Sequence, residues 1–209
     1  MLNILSGLLP GVVKEYLKKL FRYYRKLTCG RWAKKNAVAI DDFCEKIDQE
    51  LWSEAKKFAQ VLECEGRAKL LNSDVKQGGP GALPLIYFVV RKIRPDIAIE
   101  TGVASGWSSS SILAALNANN KGALYSSDLP YPNIKDSKKA VGLVVDAMLK
   151  ERWHLYLGND KESLPEILSE LESIDFLHYD SDKTVKGREF AWRLIQPYLS
   201  LNAVVIIDD

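Results

Sequence analysis

The stretch that decides the fold is residues 97–108, which read IAIETGVASGWS. Its first part, Ile97 to Glu100, predicts a short buried strand, and Gly102 and Gly106 then mark a turn before a helix that begins near Ser108. Both glycines remove side chains where the backbone must approach a ligand, and the first N–H groups of the helix can bind a carboxylate or phosphate. The stretch therefore predicts a strand, loop and helix that bind a nucleotide-like ligand.

The alternation of strand and helix continues through the rest of the sequence. Further strands are predicted at 123–128, 153–157, 174–179 and 203–207, and further helices near 164–171 and 185–195. This order predicts an α/β fold, a Rossmann-like parallel sheet with helices on both faces. In such sheets, ligands bind beyond the carboxyl ends of the strands, where the strand order switches.

The residues before this core predict additional helices. Val12 to Leu27 has apolar residues at helical spacing and Lys or Arg on the opposite face, which predicts a basic amphipathic helix. An accessory helix is predicted from Ile40 to near Gly66, and a third helix at about Leu83 to Ile93. We therefore predict an N-terminal helical extension over residues 1–80 and a core domain over residues 81–209.

Composition excludes several classes of protein. Of the 209 residues, 47% are hydrophobic and only 13 are Gly and 8 Pro, which argues against disordered and collagen-like chains. No apolar run is long enough to span a membrane, and the three cysteines lack the spacing of a disulfide framework or a zinc site. We expect a soluble, cytoplasmic protein in which the cysteines are small packing residues.

Charge divides the chain into two parts. Residues 1–35 carry nine Lys or Arg and one Glu, a net charge of +8, which leaves 20 basic and 26 acidic residues, a net charge of −6, for the remainder. The basic helix is consistent with a peripheral membrane contact or with packing on its own domain. Because the remainder is acidic, we do not expect a nucleic acid as partner.

Polar residues follow all five predicted strands. Asp128 lies 26 residues after Gly102, at the end of the second strand, where an acidic residue can accept hydrogen bonds from two ribose hydroxyls. Dinucleotide-binding loops of the G-x-G-x-x-G type carry a glycine at the position of Ala104, so a bound pyrophosphate is poorly supported. The pattern favours a smaller nucleoside ligand.

From Leu83 to Asp209 the sequence resembles the class I S-adenosylmethionine (SAM)-dependent methyltransferases. The resemblance rests on the acidic end of the first strand, the E-x-G-x-x-x-G-x-S loop, the acid after the second strand and the G-N/D element after the third. It implies that SAM is the cofactor and assigns its parts to individual residues. Gly102 and Gly106 would line the methionine portion, Ser108 would lie near its carboxylate, Glu100 would order the loop and the amino group, Asp128 would hold the ribose, and Asn159 or Asp160 would face the adenine.

The fourth strand is followed by Asp180-Ser181-Asp182-Lys183, which resembles an element of the catechol-type and caffeoyl-CoA-type O-methyltransferases. The resemblance implies that Asp180 binds a divalent cation and that Lys183 is the catalytic base. Asp208 and Asp209 stand where that family has a second acidic pair, and Mg²⁺ or Ca²⁺ favours such oxygen ligands. The acceptor would be a hydroxyl of a small molecule or a glycan-like metabolite.

Other readings of the same residues remain open. Asp208 and Asp209 are also consistent with solvated strand ends, Asp182 with a helix cap and Lys183 with a surface charge, and His178 is a competing base. Alternative functions are an NAD-type oxidoreductase and a noncatalytic, membrane-peripheral binding protein. A homo-oligomer is a further hypothesis.

The resemblance also implies two more strands, an antiparallel hairpin after the fifth strand. The sequence ends at Asp209, so we expect this C-terminal hairpin to be missing. We expect either that the chain is truncated, or that a partner or the N-terminal helices cover the exposed sheet edge.

Overall fold

The computed structural model describes residues 11–71, 73, 78–130 and 137–208. Contacts divide the chain into two compact units, residues 1–43 and residues 44–209. The predicted boundary at residue 80 stays a prediction, although the second helix contributes to the core of the second unit from Cys44 onward.

The described part of the first unit consists of one long helix and the start of the next. Helix α1 spans Gly11–Asn36, so the predicted amphipathic segment continues as helix for nine residues beyond Leu27. Helix α2 spans Ile40–Leu70 and is interrupted at Asp48, whose backbone is not helical. The Asp48 carboxylate accepts a hydrogen bond from the Leu51 amide and so caps the part of the helix that follows.

The described residues of the second unit form five strands that pair in parallel in the order β3-β2-β1-β4-β5. They are β1 (Ile97–Thr101), β2 (Ala123–Asp128), β3 (Trp153–Leu157), β4 (Ile174–Tyr179) and β5 (Leu199–Ile207). The strand order reverses between β1 and β4, which are direct neighbours. This confirms the predicted Rossmann-like parallel sheet and puts the switch point at the loop after β1.

Helices cover both faces of the sheet. They are α3 (Leu83–Ile93), α4 (Trp107–Ala118), α5 (Ser137–Ala140), α6 (Asp160–Ser169) and α7 (Val185–Ile195), with 3-10 turns at Ala147–Arg152 and Gln196–Tyr198. On one face α2, α3 and α4 form a core with Trp52, Phe88 and Ile112 among its buried members. On the other face α6 and α7 form a second core, in which Leu164 and Ile195 are buried.

Cysteine packing follows the prediction at one position. Cys44 is buried in the first core, whereas Cys29 and Cys64 are exposed, and all three are free thiols. The packing role predicted for all three therefore holds only for Cys44.

At the edge of the sheet, β5 exposes Leu201 completely and Ile207 by 58%.

Candidate functional site

A cavity of about 860 Å³ lies at the carboxyl ends of the parallel strands. It is lined by the loops after β1, β2, β3 and β4 and by the first turns of α7. Five of the predicted site residues line it: Gly102, Asp128, Asn159, Asp160 and Asp180. The sheet topology thus brings residues that are up to 78 positions apart in sequence to one hollow.

The loop after β1 forms one wall of the cavity. Gly102 has φ +82°, and a Cβ there would lie less than 3.0 Å from the carbonyl oxygen of Asp180. Only glycine therefore fits between the ends of β1 and β4. Ala104 also lies in the left-handed region, with φ 48°, although it carries a side chain.

Asp128 ties this loop to the end of β2. Its Oδ1 accepts hydrogen bonds from the amides of Val103 (2.8 Å) and Ala104 (2.9 Å). Burial raises the pKa of the Asp128 carboxyl, and the two amide hydrogen bonds oppose this by stabilising the charged form. Beside it, the buried Oγ of Ser127 has no hydrogen-bond partner among the described residues, and Ser127 also lines the cavity.

Glu100 lies beneath the loop and has no exposed surface. Its carboxylate accepts hydrogen bonds from the hydroxyls of Ser108, Ser109 and Ser126. Neither Glu100 nor Ser108 lines the cavity. Because Glu100 is buried, it can affect a ligand only through its neighbours. The Ser108 hydroxyl already donates its hydrogen bond to the Glu100 carboxylate.

Gly106 faces a neighbouring segment of the chain and is not part of the cavity lining. With φ +90°, it lies so close to Gly142 that a Cβ would come within 3.0 Å of the Gly142 Cα. The amide of Gly142 donates to the Ala104 carbonyl, and that of Val144 donates to the Ser105 carbonyl, both at 2.9 Å. Gly106 therefore allows residues 141–145 to pack on the loop and hold its shape.

The loop after β3 leads directly into α6. The Asn159 side chain caps this helix by accepting from the amides of Lys161 and Glu162. Asp160, the next residue, accepts a hydrogen bond from the Ser181 hydroxyl at 2.6 Å. Burial raises the pKa of the Asp160 carboxyl, and the Ser181 hydroxyl opposes that rise. Of the two predicted adenine contacts, Asn159 is engaged as a cap and Asp160 bridges two strand ends.

The residues after β4 form an ion pair and a helix cap. Asp180 Oδ1 is buried and lies 2.9 Å from Lys183 Nζ, while the lysine side chain is half exposed. Asp182 Oδ1 accepts from the Thr184 amide at the start of α7, and this hydrogen bond holds the pKa of Asp182 below its usual value. Asp182 therefore acts as a local cap in addition to lining the cavity.

The predicted metal ligands are described only in part. The Asp208 amide donates a hydrogen bond to the Tyr179 carbonyl at 3.0 Å. Because Tyr179 is the last residue of β4 and directly precedes Asp180, Asp208 lies beside the end of that strand. Asp209 lies outside the described residues. Within residues 11–71, 73, 78–130 and 137–208, no three His, Cys, Asp or Glu side chains are arranged to hold a metal ion.

The competing base, His178, lies inside the fold. It is 1% exposed, and its Nδ1 is 3.6 Å from Glu100 Oε1, its partner on the adjacent strand β1. His178 is therefore directed toward the buried Glu100 cluster beneath the loop and not toward the cavity.

Several lining residues were not identified from the sequence. Leu129, Lys161, Lys186 and Phe190 also line the cavity. Lys186 and Phe190 are four residues apart on α7, so they lie on the same face of that helix. This spacing was visible in the sequence, but which face of α7 meets the cavity depends on its packing against β4 and β5.

A family model described as a methyltransferase domain matches residues 99–209, which is more than half of the chain. No curated protein sequence matches the chain significantly.

Two solved structures illustrate the fold similarity. An O-methyltransferase from Bacillus cereus, solved with S-adenosylhomocysteine (SAH), is 18% identical in sequence to this chain. The two structures superpose with a TM-score of 0.51, and the match covers 82% of this chain and 73% of that chain. The O-methyltransferase TomG from Streptomyces achromogenes, involved in tomaymycin synthesis and solved with SAM, is 16% identical, with a TM-score of 0.52 over 81% and 71%. At these identities the similarity establishes the fold and no more.

Proposed function

The chain belongs to the methyltransferase-domain family, and from that membership we propose that it transfers a methyl group from SAM to a hydroxyl of a small molecule or glycan-like metabolite. The observation that carries this proposal is the convergence of the glycine loop after β1 and four aspartates on one cavity. The aspartates are Asp128, Asp160, Asp180 and Asp182. The O-methyltransferase folds described above support hydroxyl as the acceptor atom.

The net negative charge of the cavity lining, four aspartates against Lys161 and Lys186, supports SAM over a dinucleotide. SAM carries a positively charged sulfonium, which is attracted to carboxylates, whereas the pyrophosphate of NAD is repelled by them. The Cβ of Ala104 also stands where dinucleotide-binding loops use glycine for close approach of the pyrophosphate. An NAD-type oxidoreductase is therefore the weaker proposal.

The described residues fit a nucleoside with a cationic tail. Gly102 provides a close approach of backbone, Asp128 is fixed at the end of β2 to accept from ribose hydroxyls, and the Ser127 hydroxyl has no hydrogen-bond partner among the described residues. Bound SAM supplies a methyl group that is transferred by direct displacement at the sulfonium. The chain would contribute orientation and exclusion of water, with Leu129 and Phe190 as the apolar part of the cavity wall.

In this proposal Lys183 accepts the proton from the acceptor hydroxyl. Its ammonium is paired with Asp180 at 2.9 Å, and Lys183 is not among the residues that line the cavity. Lys183 therefore has to leave Asp180 and release its proton to solvent before its neutral amine can accept the proton of the acceptor hydroxyl. The half-exposed lysine side chain can make that movement without disturbing the core. Divalent metal assistance, with Asp180, Asp208 and Asp209 as ligands, is the finer part of the proposal, and the buried oxygen of Asp180 supports it.

Cofactor binding provides the first test. We expect an Asp128→Asn variant to bind SAH roughly 30- to 100-fold more weakly than the unmodified chain, because charged hydrogen bonds to the ribose are lost. Isothermal titration calorimetry with SAH measures this, and Asp96→Asn is a matched control because its carboxylate is exposed at the opposite end of β1. Binding of NAD with no binding of SAH would refute the proposed cofactor.

The metal is tested separately from the cofactor. We expect Mg²⁺ to bind the SAH-saturated chain and the Asp180→Asn variant to bind it at least about tenfold more weakly, because an anionic ligand is lost. SAH affinity should change less than about threefold in the same variant, because Asp180 is not proposed to hold the ribose. Calorimetric titration with Mg²⁺ alone measures the first effect, with Asp96→Asn as the control because its carboxylate is exposed away from the cavity. Equal Mg²⁺ affinity in all three proteins would exclude Asp180 as a ligand.

A further inference from the structure

Over residues 12–28, the surface of helix α1 has an apolar half and a basic half. With about 100° of rotation per residue, the apolar residues occupy roughly half of the circumference, and Lys14, Lys18, Lys19, Arg22, Arg25 and Lys26 occupy the other part. Glu15 is the only acidic residue in the segment, and it lies on the basic half. No basic residue interrupts the apolar half between Val12 and Thr28.

The described side chains of the apolar half are all exposed. Eight large side chains are between 40% and 67% exposed: Val13, Tyr16, Leu17, Leu20, Phe21, Tyr23, Tyr24 and Leu27. In the described part of the first unit, residues 11–43, the only other element is the beginning of α2. A single helix cannot bury its own apolar face, and no described part of its own unit covers this surface, so it is available to a partner.

We propose that α1 binds the surface of an anionic lipid bilayer, lying in the plane of the interface with its apolar half inserted. The basic half would then face the lipid headgroups, where each Lys or Arg is attracted to the anionic surface. Three tyrosines lie on the apolar half, and tyrosine favours the boundary between acyl chains and headgroups. None of the described helices has the length and apolarity to cross a bilayer, which fits a helix that lies on the surface.

Lipid is the partner that uses both halves of the helix together. A nucleic acid would engage the basic half and leave eight large apolar side chains in water. A second copy of α1 could cover the apolar half, but it would bring two segments of high positive charge together, since residues 1–35 carry a net charge of +8. An anionic bilayer buries the apolar half and neutralises the basic half in one contact.

Vesicle sedimentation with the full chain tests the proposal. We expect the chain to sediment with phosphatidylcholine vesicles that contain about one third phosphatidylglycerol, and to bind pure phosphatidylcholine vesicles at least about tenfold more weakly. Binding should weaken when the salt concentration is raised, because salt screens the attraction between the basic half and the lipid surface. Equal binding to both kinds of vesicle at all salt concentrations, or no binding to either, would overturn the proposal.

Two double variants separate the roles of the two halves. Lys19→Glu with Lys26→Glu should weaken binding about thirtyfold or more, and Leu20→Asn with Leu27→Asn should weaken it about tenfold or more. Lys57→Glu with Lys150→Glu is the matched control, because it makes the same change in net charge at exposed positions of the second unit and should leave binding unchanged.

The remaining outcomes identify other partners. If only the charge variant weakens binding, the helix is a general polyanion-binding surface and the bilayer proposal is wrong. The chain could instead fail to bind vesicles and form a dimer that dissociates in the Leu20→Asn, Leu27→Asn variant. The apolar half would then pack against a second copy of the chain, and the proposal would also be wrong. SAH titration of each variant shows whether the proposed cofactor site is unchanged, and we expect it to be, because no residue of α1 is among those that line the cavity. A failure of the membrane proposal is therefore distinguishable from a failure of the proposed methyl transfer.

Discussion

A Gly102→Ala variant is expected to lose SAH binding by more than about a hundredfold. The left-handed backbone of Gly102, at φ +82°, costs about 1–2 kcal/mol for a residue with a Cβ. The added methyl group would also lie less than 3.0 Å from the carbonyl oxygen of Asp180. Relief of that contact has to separate the loop after β1 from the end of β4, which opens the cavity at the point where both its walls meet.

The same variant should also lower the stability of the fold. The Asp180 amide donates to the Thr101 carbonyl at 2.9 Å, and moving the two strand ends apart weakens this hydrogen bond. We expect a decrease of roughly 2–4 kcal/mol in the free energy of unfolding, measured by urea denaturation. Thermal unfolding in the presence and absence of SAH distinguishes loss of the cofactor site from loss of the fold.

Gly79→Ala is the matched control for this change. Gly79 precedes α3, and a Cβ there would have no neighbouring atom within 4 Å. We expect the control to bind SAH with the affinity of the unmodified chain. If Gly102→Ala binds SAH within about threefold of the control, the loop after β1 does not contact the cofactor and the proposed site is wrong.

Sequence patterns predicted the elements whose ends are marked by strong local signals. The predicted bounds of β3, β4, α3 and α7 agree with the structure, because each is an apolar run or a helical repeat limited by polar residues or proline. Helix α6 begins at Asp160 and not at Leu164, because Asn159 and Glu162 form a capping box that starts the helix one turn earlier. β5 begins at Leu199 and not at Ala203, and its pairing with β4 is irregular between Ile174 and Phe176.

The segment between β2 and β3 was not predicted as structure. It contains α5 and the 3-10 turn Ala147–Arg152, which are too short to produce a recognisable apolar period. Its contact with the loop after β1, through Gly142 and Val144, joins residues almost 40 positions apart in sequence. Such a contact depends on tertiary packing, and the sequence contained only the glycine in an apolar run, AVGLVV at 140–145, as a signal.

The position of the site was predictable, whereas the division of roles within it was not. Because both faces of the parallel sheet are covered, strand alternation did not reveal that Glu100 is buried and Asp128 lines the cavity, although both are acidic residues at strand ends. His178 shows the same limit, since its register opposite Glu100 became clear only from the pairing of β1 with β4.

A Glu100→Ala variant is expected to show the largest loss of stability. The Glu100 carboxylate joins β1 to β2 through Ser126 and to α4 through Ser108 and Ser109. Ser126 in turn accepts a hydrogen bond from Trp153 Nε1 at 2.9 Å, so the cluster extends to β3. Removing the carboxylate leaves a cavity and three buried or half-buried hydroxyls without their acceptor, which should lower the free energy of unfolding by roughly 3–5 kcal/mol.

Urea unfolding followed by circular dichroism measures this loss, and two further variants identify its origin. Glu151→Ala removes an exposed carboxylate and should change stability by less than about 0.5 kcal/mol. Glu100→Gln keeps the volume and one oxygen acceptor but replaces the other acceptor with a donor, so it should recover about half of the loss. If Glu100→Gln is as unstable as Glu100→Ala, both carboxylate oxygens are needed as acceptors for the three serine hydroxyls, and the volume of the side chain contributes little.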